Sequence, residues 1–266
     1  MKLRGGHDMK KVFFFDIDGT LAIRHDVPEN NKKALQLLKD KGYLTFICTG
    51  RAPFYAKKLF GDLVSGYICC NGRYILYNNE KLHGEAFTED EIAWYLKKFK
   101  DENFGALLVS DDVSMCFDLA KHEIEDAKKD YGKKHIAEYD ASLPVYTFDI
   151  FYHHIDNRKR MIDVFKDKLL INDHNGCGNC DCSTIGYDKG NAIAYILNHF
   201  QINKDDAYAF GDGYNDQAMF REVNNCIAMG NAVDKLKEKA TFITDDVDKD
   251  GITKALVHEG IFDNIK

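Results

Sequence analysis

The 266-residue chain has no surplus of positive charge. Its 36 Lys and Arg face 43 Asp and Glu, a net charge of -7. That argues against a nucleic-acid or anionic-membrane partner, which would call for a basic face. No apolar run approaches the roughly 18 residues of a membrane span. The opening "MKLRGGHDMKK" has no apolar signal core, so nothing points to export. The eight cysteines sit at irregular positions without a disulfide-like framework, so reduced thiols in a cytoplasmic protein are expected. Repeats and low-complexity tracts are missing too. Met9 reads as a plausible native start, with residues 1–8 a tag or a disordered tail.

What is present is ordinary globular material, 45% hydrophobic and 30% charged. "KKVFFFD" reads as a buried strand ending in turn residues. "VPENNKKALQLLKDKG" follows as a helix, with Pro28 at its first turn and Gly42 as its stop. "YLTFICTG" and "GYICCNG" are further buried strands, with the helix "APFYAKKLF" between them. Strand, helix, strand, helix, strand with short joints predicts an open, Rossmann-like parallel sheet of the α/β class. "RYILYNNEKL" predicts a hairpin turning at Asn78-Asn79. From Gly84 to Gly186 helices and strands alternate differently, including the helix "NRKRMIDVFKDKL", and predict an inserted α/β domain. "DKGNAIAYILNHF" and "DAYAFGDG" then restore the first pattern. The expected partition is a discontinuous core of 1–83 and 187–266 and an inserted domain of 84–186.

In open α/β sheets, ligands bind beyond the carboxyl ends of the strands. Four polar turns follow predicted strands here, "DIDGT", "TGR", "CNGR" and "GDGYND", and a fifth element, "DKGN", opens a helix. Any one alone is more often a solvated turn; their joint placement carries the weight. "GDGYND" lacks the spacing of a dinucleotide fingerprint, and "DKGN" lacks that of an ATP-type phosphate loop.

Asp16-Ile17-Asp18-Gly19-Thr20, Thr49-Gly50-Arg51, Lys189 and "GDGYND" resemble, in order and placement, the four motifs of haloacid dehalogenase-superfamily phosphatases. The inserted block resembles the large α/β cap of the Cof-type subfamily. The resemblance implies a Mg²⁺-dependent phosphatase of small organic phosphate monoesters, sugar phosphates leading. Asp16 is a carboxylate able to attack phosphorus and form an aspartyl-phosphate. Attack on a phosphate dianion needs charge neutralised, and Mg²⁺ suits a site of one or two carboxylates, substrate oxygens and water. Asp212 is the natural second carboxylate, and the family adds the backbone carbonyl of Asp18. Lys189 would supply a point charge to phosphate and to Asp16. Thr49 offers a hydroxyl, and turn N–H groups could bind phosphate oxygens.

Asp18 has a separate task, protonating the leaving oxygen and then deprotonating water. For this its pKa should be raised by burial or by neighbouring negative charge. Family analogy puts Asn215 and Asp216 at or just outside the metal, with Asp216 as an outer partner; a helix cap is the bland alternative. Gly50, Arg51, Asn71 and Gly72 are expected beside the substrate. Arg51 is about as readily a surface residue at a helix start. Arg73 departs from the small residue usual in the family after "NG", and either contacts the leaving group or points to solvent.

"HNGCGNCDCS" offers His174, Cys177, Cys180 and Cys182 as potential metal ligands. In an extended strand Cys180 and Cys182 share one face, so packing is the preferred reading over a metal site. Asp181 stands where relatives often carry Glu and is a candidate to face the substrate. His153 and His154 would point to opposite faces and not share a metal. Two alternatives to hydrolysis remain open: a sugar-phosphate mutase of the same superfamily, and a non-catalytic phosphate-binding module.

Overall fold

The computed structural model describes residues 11–24, 26–173 and 177–263. The chain opens with β1 (Val12–Phe15), α1 (Glu29–Asp40), β2 (Leu44–Cys48), α2 (Pro53–Phe60), β3 (Gly66–Cys69) and the pair β4 (Tyr74–Tyr77) and β5 (Glu80–Gly84). The middle holds α3 (Glu89–Glu102), β6 (Gly105–Val109), β7 (Ser114–Phe117), α4 (Lys121–Tyr131), β8 (Ile136–Glu138) and β9 (Thr147–Phe151). It continues with α5 (Arg158–Phe165), β10 (Leu169–Asp173) and β11 (Asn179–Thr184). The remainder is α6 (Lys189–Phe200), β12 (Ala207–Gly211), α7 (Gln217–Phe220), β13 (Asn225–Ala228), α8 (Asp234–Lys237), β14 (Phe242–Ile243) and α9 (Gly251–His258). Among the described residues no helix is long and apolar enough to cross a membrane.

Two compact units divide these elements. The first runs to Cys48 and takes in Phe60–Gly66 and everything from Lys189 on. The second holds Thr49–Leu59 and Tyr67–Asp188. It therefore includes the turns at Thr49 and Asn71, which the sequence reading grouped with the core.

In the first unit β2, β1, β12, β13 and β14 lie side by side in that order, all parallel. Every residue of β1, β2 and β12 is buried, as expected for strands covered on both faces. The apolar run "VFFF" is thus a central strand. Phe13 stacks on Tyr208 and Phe15 on Phe210, with centroids 4.7 and 4.6 Å apart, fixing β1 against β12. The Asp16 N–H continues the ladder to Phe210 O at 3.1 Å. Asp16 therefore leaves the sheet on rigid backbone.

The second unit contains the predicted hairpin β4–β5. Asn78 and Asn79 take φ of 50° and 64°, the left-handed pair that a two-residue hairpin turn requires. It also contains a six-stranded sheet of order β10-β11-β9-β6-β7-β8. Helix α3 starts at a capping box: Thr88 Oγ1 accepts from the Glu91 N–H, and Glu91 Oε2 accepts from the Thr88 N–H. Ile92, Tyr95 and Phe99 of α3 and Met161 and Phe165 of α5 pack with Phe148 and Ile150 of β9.

Sequence reading carried the helix "NRKRMIDVFKDKL" to Leu169. The helix stops at Phe165, and Leu169 instead opens β10. Backbone pairing of β10 with β11 overrides the helical pattern there. Cys180 and Cys182 do share a face of β11 and are buried in this core.

Candidate active site

Three carboxylates of the first unit converge where the parallel strands end. One oxygen each of Asp16, Asp212 and Asp216 lies within 4.8 Å of the others. Asp16 follows β1 and Asp212 follows β12, adjacent parallel strands, so their side chains emerge at the same sheet edge. Lys189, the first residue of α6, is buried and reaches into the cluster. Its Nζ donates to Asp16 Oδ1 at 2.5 Å and to Asp216 Oδ1 at 2.7 Å. Gly190 allows this: a Cβ there would stand 2.4 Å from Ala218 O, so only glycine lets α6 approach that backbone.

Asp216 uses both carboxylate oxygens on the protein. Oδ2 accepts the backbone N–H groups of Asp212 and Gly213, each at 2.9 Å. It thereby orients both Lys189 and the turn that carries Asp212. Asp212 Oδ1 accepts from Thr20 Oγ1 at 2.9 Å. Gly19 has a φ of +87°, and a Cβ on it would stand 2.2 Å from Asp212 Oδ2. Asn231 Nδ2 donates to Gly19 O at 2.8 Å and holds that turn. Gly19, Thr20 and Asn231 were not singled out from sequence as site residues. The signal for the first two was already inside "DIDGT"; Asn231 lies in "MGNA" without a local cue.

Charge explains the electrostatics. Fully ionised, three carboxylates and one ammonium would leave two negative charges uncompensated, with Asp16, Asp216 and Lys189 buried and Asp212 half-buried. Burial and the Asp216 carboxylate push Asp16 well above the usual carboxylate range, against the pull of Lys189. Burial first, then Asp216, push Asp212 up to about 7. Burial alone would lower the Lys189 pKa, but Asp16 and Asp216 override it and hold the ammonium charged. A hard divalent cation with oxygen ligands fits this donor set, because it supplies the missing positive charge where carboxylate oxygens already converge.

Asp18 and Asn215 are exposed. Burial, one of the two expected ways of keeping Asp18 protonated, is absent. The Asp18 carboxylate is among the charges that raise the Asp212 pKa.

The second unit groups Thr49, Gly50, Arg51, Asn71 and Gly72. The Asn71 N–H donates to Thr49 O and the Cys70 N–H to Arg51 O, both at 3.2 Å. The Arg51 N–H donates to Thr49 Oγ1 at 3.1 Å. Cys70, Asn71 and Gly72 all have positive φ, 53°, 52° and 98°, a tight turn that points successive backbone groups in new directions. The Arg51 guanidinium lies over the Tyr55 ring, 4.8 Å from its centroid, and is hydrogen-bonded to Tyr131.

Arg73 does not point to solvent. It is buried, with its guanidinium 4.2 Å from the Phe87 centroid and 3.9 Å from that of Tyr187. Nη1 and Nη2 donate to Glu85 O and Thr184 Oγ1.

The other metal candidates separate. Cys177 is exposed while Cys180 and Cys182 are buried, and His174 lies outside the described residues. His153 Nδ1 contacts Glu123 and His154 Nδ1 contacts Asp156. Among the described residues the three aspartates form the one group able to hold a metal. The reading of residues 1–8 also falls outside the described residues.

Residues 13–256 match the family model of haloacid dehalogenase-like hydrolases. The chain belongs to that family. YkrA of Bacillus subtilis (strain 168), which carries a phosphatase name, is 30% identical over 259 residues, 94% of this chain and 98% of its own. YwtE of the same organism, a 5-amino-6-(5-phospho-D-ribitylamino)uracil phosphatase, is 29% identical over 91% of this chain and 95% of its own. The solved structure of the subclass IIB sugar phosphatase BT4131 superposes with a TM-score of 0.77 at 26% identity, over 95% of this chain and all of that one. This family member is a phosphoric monoester hydrolase with a Rossmann-like α/β core.

Proposed function

We propose that the chain hydrolyses small organic phosphate monoesters, sugar phosphates foremost, with Mg²⁺ and through a phosphoryl group carried on Asp16. The observation that carries this reading is the buried Lys189 bonded at once to Asp16 and Asp216, in a cluster of three converging carboxylates. The sugar-phosphatase relationship of BT4131 supports the substrate class.

Asp16, Asp212 and the Asp18 carbonyl would hold Mg²⁺, with Asp216 behind them; bound there, the ion neutralises charge on the phosphoryl oxygens. An Asp16 carboxylate oxygen attacks phosphorus, and the bond from phosphorus to the leaving oxygen breaks. Lys189 fixes the Asp16 carboxylate through Oδ1 and adds positive charge beside the phosphoryl group. Asp18, exposed and so within reach of a substrate, donates a proton to the leaving oxygen. It then takes a proton from the water that attacks phosphorus, which releases phosphate and restores Asp16. Thr49, Gly50, Arg51, Asn71, Gly72 and Asn215 contact the ester through hydroxyl, amide and guanidinium donors. Residues 84–186 serve as a cap that selects the leaving group.

The test is a phosphate-ester panel with Mg²⁺, scored by kcat/KM, alongside Asp16→Asn. The variant is expected to lose activity by about a thousandfold or more, and chelation to silence the wild type. Full activity in Asp16→Asn would sink the nucleophile assignment.

A further inference from the structure

A cavity of about 520 Å³ lies within the second unit, among α2, β4, the β6–β7 turn and the end of α4. Its volume falls in the range of small-molecule sites. It shares no residue with the carboxylate cluster. Phe54, Tyr74 and Tyr131 supply aromatic wall, and Lys57, Lys58 and Lys134 also line it. The His135 ring lies flat on Phe54, centroids 4.3 Å apart, and its Nδ1 sits 2.7 Å from Asp112 O.

The charges around this cavity are unequal in their partners. Asp111 faces the Lys81 ammonium at 3.6 Å and hydrogen-bonds Tyr74. Lys57, Lys58 and Lys134 have no hydrogen bond or ion pair among the described residues. Many lysines of this acidic chain are tied locally, as Lys97 is to Asp101 and Lys129 to Asp126. Against the Asp111 and Asp112 carboxylates that also line it, these three untied ammonium groups leave the concave, partly aromatic space with one more positive than negative charge, in a protein of net charge -7.

We propose that this cavity is a second anion site, for a small ligand carrying two or more phosphoryl groups. Lysine binds phosphate as a point charge, and three separated ammonium groups suit several phosphoryl groups better than one. Helix α2 begins two residues after Arg51, so the ligand would sit on the helix that follows the Thr49–Arg51 turn.

Inorganic pyrophosphate is the probe, titrated calorimetrically into the whole chain in EDTA. Wild type is expected to bind it. Lys58→Gln/Lys134→Gln, both exposed positions, should weaken binding at least tenfold while leaving Mg²⁺-dependent ester hydrolysis unchanged. Lys57→Gln should weaken it alone, and Lys189→Gln should not. No binding to wild type, or binding lost in Lys189→Gln and retained in the lysine pair variant, overturns the proposal.

Discussion

Gly19 and Asp212 share a space that admits no additional carbon. Gly19→Ala places a methyl group where Asp212 Oδ2 now lies and holds alanine at a φ of +87°. The left-handed backbone alone costs about 1–2 kcal/mol, and the carboxylate must also move. We expect kcat/KM to fall at least about tenfold, since a small displacement of a catalytic group is expensive; steady-state kinetics on an aryl phosphate check it. A second expectation follows from Asp212 itself. In metal-free protein its folded pKa of about 7 stands above the ordinary value of 3.8. The folded state therefore holds a proton that the unfolded chain has released between these values. This contribution to stability is complete below the ordinary value and is lost as pH rises through 7. In EDTA, melting temperature should fall from pH 5 to pH 8 by more in wild type than in Asp212→Asn; equal slopes would contradict the assignment. That Asp16, Lys189 and Asp212 come together could be anticipated because "DIDGT", "DKGN" and "GDGYND" are local patterns. Thr20's bond to Asp212 spans 192 positions of sequence and becomes visible only when β1 and β12 lie side by side.

Elements carry a different kind of information. The hairpin β4–β5 was legible because "NN" between apolar runs is turn chemistry, and the two asparagines have the required φ. Strand β10 was not, since "KDKLLIND" reads equally well as a helix end until β11 pairs with it. The solvent-facing alternative for Arg73 failed for a related reason. A charged residue after a turn reads as exposed, yet Phe87 and Tyr187 supply two aromatic faces from segments 14 and 114 positions later. These partners make Arg73 a clasp joining Glu85–Phe87 to Thr184–Tyr187. Arg73→Ala removes both stacked contacts and two hydrogen bonds, and should destabilise by about 2–4 kcal/mol. Arg73→Lys should recover little, because an ammonium cannot stack or bond in two planar directions. Urea unfolding of the three proteins, followed by near-ultraviolet dichroism of the aromatic cluster, checks it. Equal stability of the alanine variant and wild type would dismiss the clasp.

For the whole molecule, the α/β class was legible because each core strand is a short apolar run followed by a polar turn. The grouping of the Thr49 and Asn71 turns with the second unit was not, since it depends on backbone bonds between residues 19 and 22 positions apart. Each unit has its own buried core, one built on β1, β2 and β12, the other on the aromatic cluster of Tyr95, Phe99, Phe148 and Phe165. The carboxylate cluster belongs wholly to the first. Two cores need not unfold as one, and a ligand stabilises only the state that binds it. Mg²⁺ at a hundred times its dissociation constant adds about 2.7 kcal/mol to that state. Calorimetry should therefore show Mg²⁺ raising the transition of the first unit while the second, reported by Trp94 fluorescence, stays in place. Trp94 suits this purpose because it is the chain's single tryptophan and packs against Tyr95 and Phe165. Asp212→Asn should abolish the shift. A Mg²⁺ shift of equal size in the Trp94 signal would mean that the two cores melt as one cooperative unit, and no shift in either would remove the carboxylate cluster as the metal site.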